Sequence, residues 1–241
     1  MKASARRTRW LLLVAMVIVV GVLLFFLRQM GVPTPRNALV YALRVGIVAS
    51  ALVAWFISQS LIGARSAKPG EIADGVHDLT APLNRYLQTR PRLVNGILIA
   101  SSLFIDLFAV FLIGLSILGP TLRPFVALLI LFILRQTCQA VCALPVPPAM
   151  IWRSPGVPSL LVTYEVANDF FFSGHTSIAV LGAIEAARIL PWWAGVVAGV
   201  VAFLEASVVL TLRAHYTMDV VAAAFAAFFA LSVADWIYAL L

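Results

Sequence analysis

The sequence predicts an all-α membrane protein, a polytopic bundle in which one N-terminal transmembrane helix precedes a six-helix core. Three observations carry that reading. Of the 241 residues, 63% are hydrophobic and only 11% charged, whereas a soluble domain is nearer half apolar and a quarter charged. The mean hydropathy is +1.03. Apolar stretches at 10–27, 38–63, 93–119, 125–144, 174–190, 192–212 and 216–241 fill most of the chain, and each approaches or exceeds the roughly 20 residues a helix needs to cross hydrocarbon. They follow one another too closely to leave room for a soluble domain. A soluble enzyme, a disulfide scaffold and a disordered chain are thereby excluded.

Residues 1–37 are expected to form a basic N-terminus and the added helix. Lys2, Arg6, Arg7 and Arg9 precede the apolar run, as in a signal peptide, but Arg28, Gln29 and Met30 follow it without a small-x-small cleavage site. A retained helix is the reading. The core then runs over 38–241. Its first span, 38–63, leads into the polar connector 64–92, where Leu79, Leu83, Tyr86 and Leu87 recur at helical spacing. That pattern suits a short interfacial helix, and a solvated connection suits it as well. His77 reads as a loop residue there. Two spans follow, 93–119 and 125–144. Cys138 and Cys142, four apart on the second, have neither disulfide nor zinc spacing and read as packing residues. The connection 145–173 carries Pro145, Pro147, Pro148, Pro155 and Pro158, which excludes a helix or a central strand. Three further spans complete the chain.

The net charge of +7 reflects membrane orientation rather than nucleic-acid binding, because the Arg are scattered along the connections and form no stripe. With the N-terminus in the cytoplasm and every stretch spanning, Lys2, Arg6, Arg7, Arg9, Arg65, Lys68, Arg85, Arg90, Arg92, Arg153 and Arg213 fall on the cytoplasmic side. Arg28, Arg36, Arg123 and Arg188 fall on the other. The excess obeys the positive-inside rule.

Three clusters carry chemistry. In Asp169-Phe-Phe-Phe-Ser173-Gly174-His175, Ser173 is a candidate N-cap, Gly174 admits a ligand to the backbone, and the helix start favours an anion. His175 in the first turn has the placement of a proton donor. In Arg213-Ala-His215-Tyr216-Thr-Met-Asp219, His215 and Asp219 are four apart and share a helix face, so the carboxylate can hold one imidazole tautomer and leave the other nitrogen nucleophilic. Arg135, nine residues before Leu144-Pro-Val-Pro147, can grip a phosphate with two parallel bonds. Singly, these read as a helix cap, a salt pair and a snorkelling Arg. Together they fall on one side of the membrane, and two His, one Asp and two Arg without a metal-ligand set point to phosphoryl transfer through a phosphohistidine. No cofactor or metal is called for. Of the remaining acids, Glu205 is expected to pair with Arg44 or to line a head-group cavity, with pairing favoured. Asp106, Glu185 and Asp235 are buried acids without an assigned partner.

Ser173-Gly-His175 and His215-x3-Asp219 resemble the second and third motifs of the type 2 phosphatidic acid phosphatase superfamily. Arg135-x8-Leu-Pro-Val-Pro147, Asp169-x3-Ser-Gly-His-Thr176 and His215-Tyr-Thr-x-Asp-Val220 are similar, in order, to signatures of its sphingomyelin synthase branch. Residues 213–219 also resemble the matching stretch of plant phosphatidylcholine:diacylglycerol cholinephosphotransferases. The resemblance covers about residues 130–230. It implies that His215 is the nucleophile, that Asp219 orients it and that His175 protonates the leaving group. Arg135, Ser173, Gly174 and Arg213 would bind the substrate phosphate, with Asp169, Tyr216 and Glu205 in support. The phosphatases' Lys-x6-Arg-Pro is absent, and the Arg they carry six residues before the nucleophile is Val209 here. The sphingomyelin synthases' Cys-Gly is Ala167-Asn168. The expected activity is therefore transfer of a phospho-alcohol such as phosphocholine from a phospholipid to diacylglycerol or ceramide. A lipid phosphate phosphatase is the alternative, and a non-enzymatic scaffold or transporter is a third class. The expected site opens to the cytoplasmic leaflet.

Overall fold

A computed structural model describes residues 38–63, 72–162, 164 and 170–240. The expected helix 10–27, the first part of the connector and Asp169 lie outside the described residues. Those that are described form helices α1 (Ala38–Gly63), α2 (Gly75–Gln88), α3 (Pro91–Leu118), α4 (Arg123–Val141), α5 (Gly174–Ile189), α6 (Trp192–Thr211) and α7 (Thr217–Ala239), without strands. Five of them, α1, α3, α4, α6 and α7, are long and apolar enough to cross a membrane. The chain is accordingly a multi-pass membrane protein, and its regular structure is all helical among the described residues. α5, with 16 residues, is shorter, spanning about 24 Å at 1.5 Å per residue.

α5 sits at the centre, packed against α3, α4, α6 and α7. Small residues let its neighbours close in. A Cβ on Gly182 would lie 2.3 Å from the Phe108 ring, and one on Gly195 would lie 2.7 Å from the Ala187 backbone. Ala223, Ala227, Ala230 and Ala234 recur at helical spacing along α7 and are fully buried, which brings that helix against α4 and α5 in the manner of membrane helix pairs. α1 is the least buried of the five long helices.

At one end of the bundle, charges act as staples. Arg123 reaches Glu185 at 2.5 Å and Asp235 at 2.8 Å, and Arg188 reaches Asp235 at 2.9 Å. Arg44 donates to the carbonyls of Gly119 at 2.6 Å and Pro120 at 3.0 Å, satisfying acceptors that the end of α3 leaves open. The expected Arg44–Glu205 pair does not form. Glu205 instead accepts the Ser101 hydroxyl at 2.6 Å, because Arg44 and Glu205 lie at different depths of the bundle. Asp106 also has polar partners: its carboxylate takes the Ser159 hydroxyl and the N–H groups of Leu160 and Leu161. It thereby pins the proline-rich connection to α3.

The opposite end gathers the ends of α1, α4 and α6 and the starts of α3, α5 and α7. The described part of 145–173 contains no helix or strand, as its prolines require. α2 lies across this end. It is a helix despite Pro82, which sits in its interior, and its two faces differ. Leu79, Leu83 and Tyr86 point outward and are exposed, whereas His77, Asn84 and Leu87 are buried. His77 is thus not a loop residue. It belongs to the face of α2 that docks on the bundle.

Candidate active site

His175, His215, Arg135 and Gly174 line one cavity, together with Gln59 and the rings of Trp55, Phe132, Trp152 and Phe170. Gly174 and His175 come from the start of α5, Arg135 from α4, Gln59 from α1 and His215 from the turn between α6 and α7. Ser173 caps α5, its hydroxyl accepting from the Thr176 N–H at 3.3 Å and the Thr176 hydroxyl at 3.1 Å. That fixes His175 in the first turn. Trp152 stands edge-on to the His175 ring with centroids 5.1 Å apart. The buried Nε2 of His175 accepts or donates no hydrogen bond among the described residues.

His215 sits in the turn between α6 and α7. Arg213, just before it, has φ +57, the left-handed conformation in which helices commonly end, though usually with glycine. Its side chain holds the turn by donating to Pro148 O at 2.9 Å and His77 O at 3.1 Å. Arg213 is not among the residues that line the histidine cavity; it lines a separate one with Asp74, His77 and Pro148. Asp219 Oδ2 accepts the Tyr216 N–H at 2.8 Å, and the Tyr216 hydroxyl donates to Pro145 O at 3.2 Å. The Leu-Pro-Val-Pro turn is thereby tied to the His215 segment.

The imidazole of His215 has a defined tautomer. Its Nδ1 lies 2.8 Å from the carbonyl oxygen of Phe170. A carbonyl can only accept, so Nδ1 carries the proton and Nε2 keeps its lone pair. Asp219 Oδ2 is farther, at 3.6 Å from Nδ1. The carboxylate therefore adds field, and the Phe170 carbonyl adds the hydrogen bond that sets the tautomer.

Arg135 is held rigidly. Its Nε donates to Phe172 O at 3.0 Å and its Nη1 to Gln59 Oε1 at 3.2 Å. A Cβ on Gly174 would come within 3.4 Å of Arg135 Nε, so the glycine permits the guanidinium to lie against the start of α5. Ser173 is fully buried as a cap and is not among the cavity-lining residues, while its neighbour Gly174 is. Glu205 also lies outside that lining.

Sequence reasoning missed the part played by α2. Asp74 caps it, with Oδ1 accepting from Val76 N at 3.0 Å and His77 N at 3.1 Å. The same carboxylate accepts from the Thr217 N–H and hydroxyl, both at 2.6 Å. His77 Nε2 meets His215 O at 2.9 Å, and its ring stacks on Tyr216 at 5.6 Å. Asn84 Nδ2 donates to Thr211 O at 2.9 Å. Three polar side chains of one short helix thus clamp the segment 211–217 that carries His215. Burial pushes the Asp74 carboxyl up, but the Thr217 and His77 interactions together outweigh it and hold the group below its ordinary value of 3.8. An N-cap signal, Asp74 three residues before His77, was legible. The long-range bonds were not.

A helical membrane bundle with two His, an Arg and a glycine-opened helix start around one cavity has the parts of the type 2 phosphatidic acid phosphatase superfamily. Residues 73–236 match the family model described as AtPDCT1/2, the phosphatidylcholine:diacylglycerol cholinephosphotransferases of the sphingomyelin synthase-like branch. The match takes in well over half of the chain, and the chain belongs to that family. It begins at residue 73, so α2 and its clamp fall inside a likeness that the motifs alone placed at about 130–230. No curated protein and no solved structure gives a significant match.

Proposed function

We propose that the protein is a lipid head-group phosphotransferase that moves phosphocholine from phosphatidylcholine to diacylglycerol. One observation carries the reading beyond family membership: His215, with its Nδ1 proton given to Phe170 O, shares a cavity with His175 and Arg135. His215 Nε2 attacks the phosphorus, and the phosphorus–oxygen bond to the glycerol breaks. His175 supplies the proton that the departing diacylglycerol oxygen takes up. Phosphocholine is then carried on Nε2 of His215. The hydroxyl of an incoming diacylglycerol gives its proton to His175 and attacks the phosphorus. The phosphorus–nitrogen bond breaks, and both His return to their starting state. Arg135 draws charge from the phosphoryl oxygens throughout. The rings of Trp152 and Phe170 beside the two His suit a quaternary ammonium, which binds aromatic faces.

The same reading treats α1 and α3 to α7 as six spans behind one N-terminal helix, with the N-terminus and the site in the cytoplasm. Basic residues support it. Arg85, Arg90, Arg92, Arg153 and Arg213 belong to segments at the site end, while Arg123 and Arg188 at the far end are paired with acids.

The test uses purified protein in phosphatidylcholine micelles with labelled diacylglycerol. Label should move into phosphatidylcholine, and an acid-labile phosphoryl adduct should form on the wild type and not on His215→Ala. Release of free phosphocholine without labelled phosphatidylcholine would make the protein a hydrolase and overturn the proposal.

A further inference from the structure

A second cavity of about 330 Å³ lies between α1 and α4. Its walls are almost wholly apolar, formed by Val48, Leu52 and Trp55 on α1 and by Leu128, Phe132 and Ile133 on α4. Trp55 and Phe132 stack with centroids 5.3 Å apart, and both also line the histidine cavity. The two cavities therefore share a wall. From Val48 to Ser58 the α1 wall rises about 15 Å at 1.5 Å per residue. That is half of the roughly 30 Å hydrocarbon core, the depth covered by one leaflet's acyl chains. Polarity is graded along it. The upper end carries Ser58 and Gln136, and Gln136 donates to Gln59 Oε1 at 3.1 Å, the oxygen that also receives Arg135. The lower end has only apolar walls. Leu129 and Ile133 on one lip are exposed, so the cleft opens sideways, toward lipid.

We infer that this α1–α4 cleft is an acyl-chain site, which holds one chain of the glycerolipid whose phosphate or hydroxyl lies at Arg135 and the two His. The inference rests on the proposed transferase reading. An amphiphile fits the gradient in one direction only, with its polar end at Gln136 and Arg135 and its tail toward Val48. The site would then recruit lipid from within the bilayer, with no need to lift it into water.

Two measurements on the full-length protein test this. Ala51, on the cleft wall, is replaced by Phe, and transfer from long-chain phosphatidylcholine is compared with transfer from dihexanoyl phosphatidylcholine in mixed micelles. The ratio of long-chain to short-chain turnover should fall by about tenfold or more, since each pair of methylenes displaced from apolar surroundings costs about that factor. Short-chain turnover reports that the variant is folded. An unchanged ratio would overturn the site. In the second measurement, diacylglycerol bearing a diazirine on its chain is photolysed with wild-type protein, and the labelled peptides are identified. Adducts on α1 and α4 that unlabelled diacylglycerol suppresses are expected. Adducts elsewhere would refute the assignment. So would a disulfide between a Cys placed in 10–27 and Ile133→Cys that forms regardless of lipid, because the N-terminal stretch would then fill the cleft. If the wild type transfers no head group from any lipid, the functional reading fails, and the crosslink, which needs no turnover, still decides the cleft.

Discussion

Asp74→Asn separates the two tasks of the α2 cap. Oδ1 of Asp74 accepts the Val76 and His77 N–H groups and the Thr217 hydroxyl, while Oδ2 accepts the Thr217 N–H at 2.6 Å. Asn keeps one oxygen and is as good an N-cap as Asp. In place of Oδ2 it presents an NH2, so that a donor faces the Thr217 donor. The helix cap and the Thr217 hydroxyl bond on the retained oxygen survive, and the clamp loses its bond to the Thr217 N–H. A hydrogen bond to a charged group contributes about 1.5–3 kcal/mol, and the half-buried position of Asp74 argues for the lower half of that range. If the loss appears as disorder of the turn that carries His215, kcat should fall about 10- to 30-fold at 1.36 kcal/mol per decade. KM should change little, because Asp74 does not line the histidine cavity. Asp74→Ala removes the cap as well, at a further cost of about 1 kcal/mol in stability. The sign with pH also follows. A carboxyl held below its ordinary value of 3.8 contributes fully above that value and loses its contribution as pH falls through the lower folded value. The difference between wild type and Asn variant should therefore be flat through neutral pH and shrink only under strong acid. Steady-state kinetics from pH 4 to pH 8 (roughly the range above the ordinary carboxyl value) should show the flat part of that profile. Wild-type kcat in Asp74→Asn, or a change confined to KM, would refute the clamp.

Asp219→Asn should cost about 100-fold in kcat, against about 10,000-fold where an Asp alone sets the tautomer, because Phe170 O still holds the His215 Nδ1 proton. A loss as large as that of His215→Ala would return the orienting role to Asp219. His175→Ala should stop turnover of phosphatidylcholine and spare a nitrophenyl phosphocholine ester, whose leaving group needs no proton; equal losses on both substrates would contradict the acid role. Arg135→Lys should remain impaired, since an ammonium cannot replace a planar fork anchored on Phe172 O and Gln59, and unchanged kinetics would remove Arg135 from phosphate binding. A Cys at the exposed Ser154, in a background lacking Cys138 and Cys142, should resist impermeant thiol reagents added to intact cells; rapid labelling would put the site on the outer face.

Composition and the length of its apolar runs determined that this chain is a helical membrane protein, because hydrocarbon admits only segments that satisfy their own backbone. The order and spacing of Arg135, Ser173-Gly-His175 and His215-x3-Asp219 determined the family, since a helix face and a helix start are local geometry. Tertiary structure decided which of these side chains meet. Arg135, His175 and His215 converge on one cavity, whereas Arg213, equally cationic and two residues from His215, turns to the carbonyls of Pro148 and His77. It also decided what sets the His215 tautomer, for a backbone carbonyl leaves no mark in a sequence and Phe170 is 45 residues away. The α2 clamp was hidden for the same reason. Asp74, His77 and Asn84 look like ordinary polar residues of a connector, and their partners at 211–217 lie more than a hundred positions downstream. Periodicity shows a helix where its faces are, but only packing shows what a polar group on the buried face has been brought to touch.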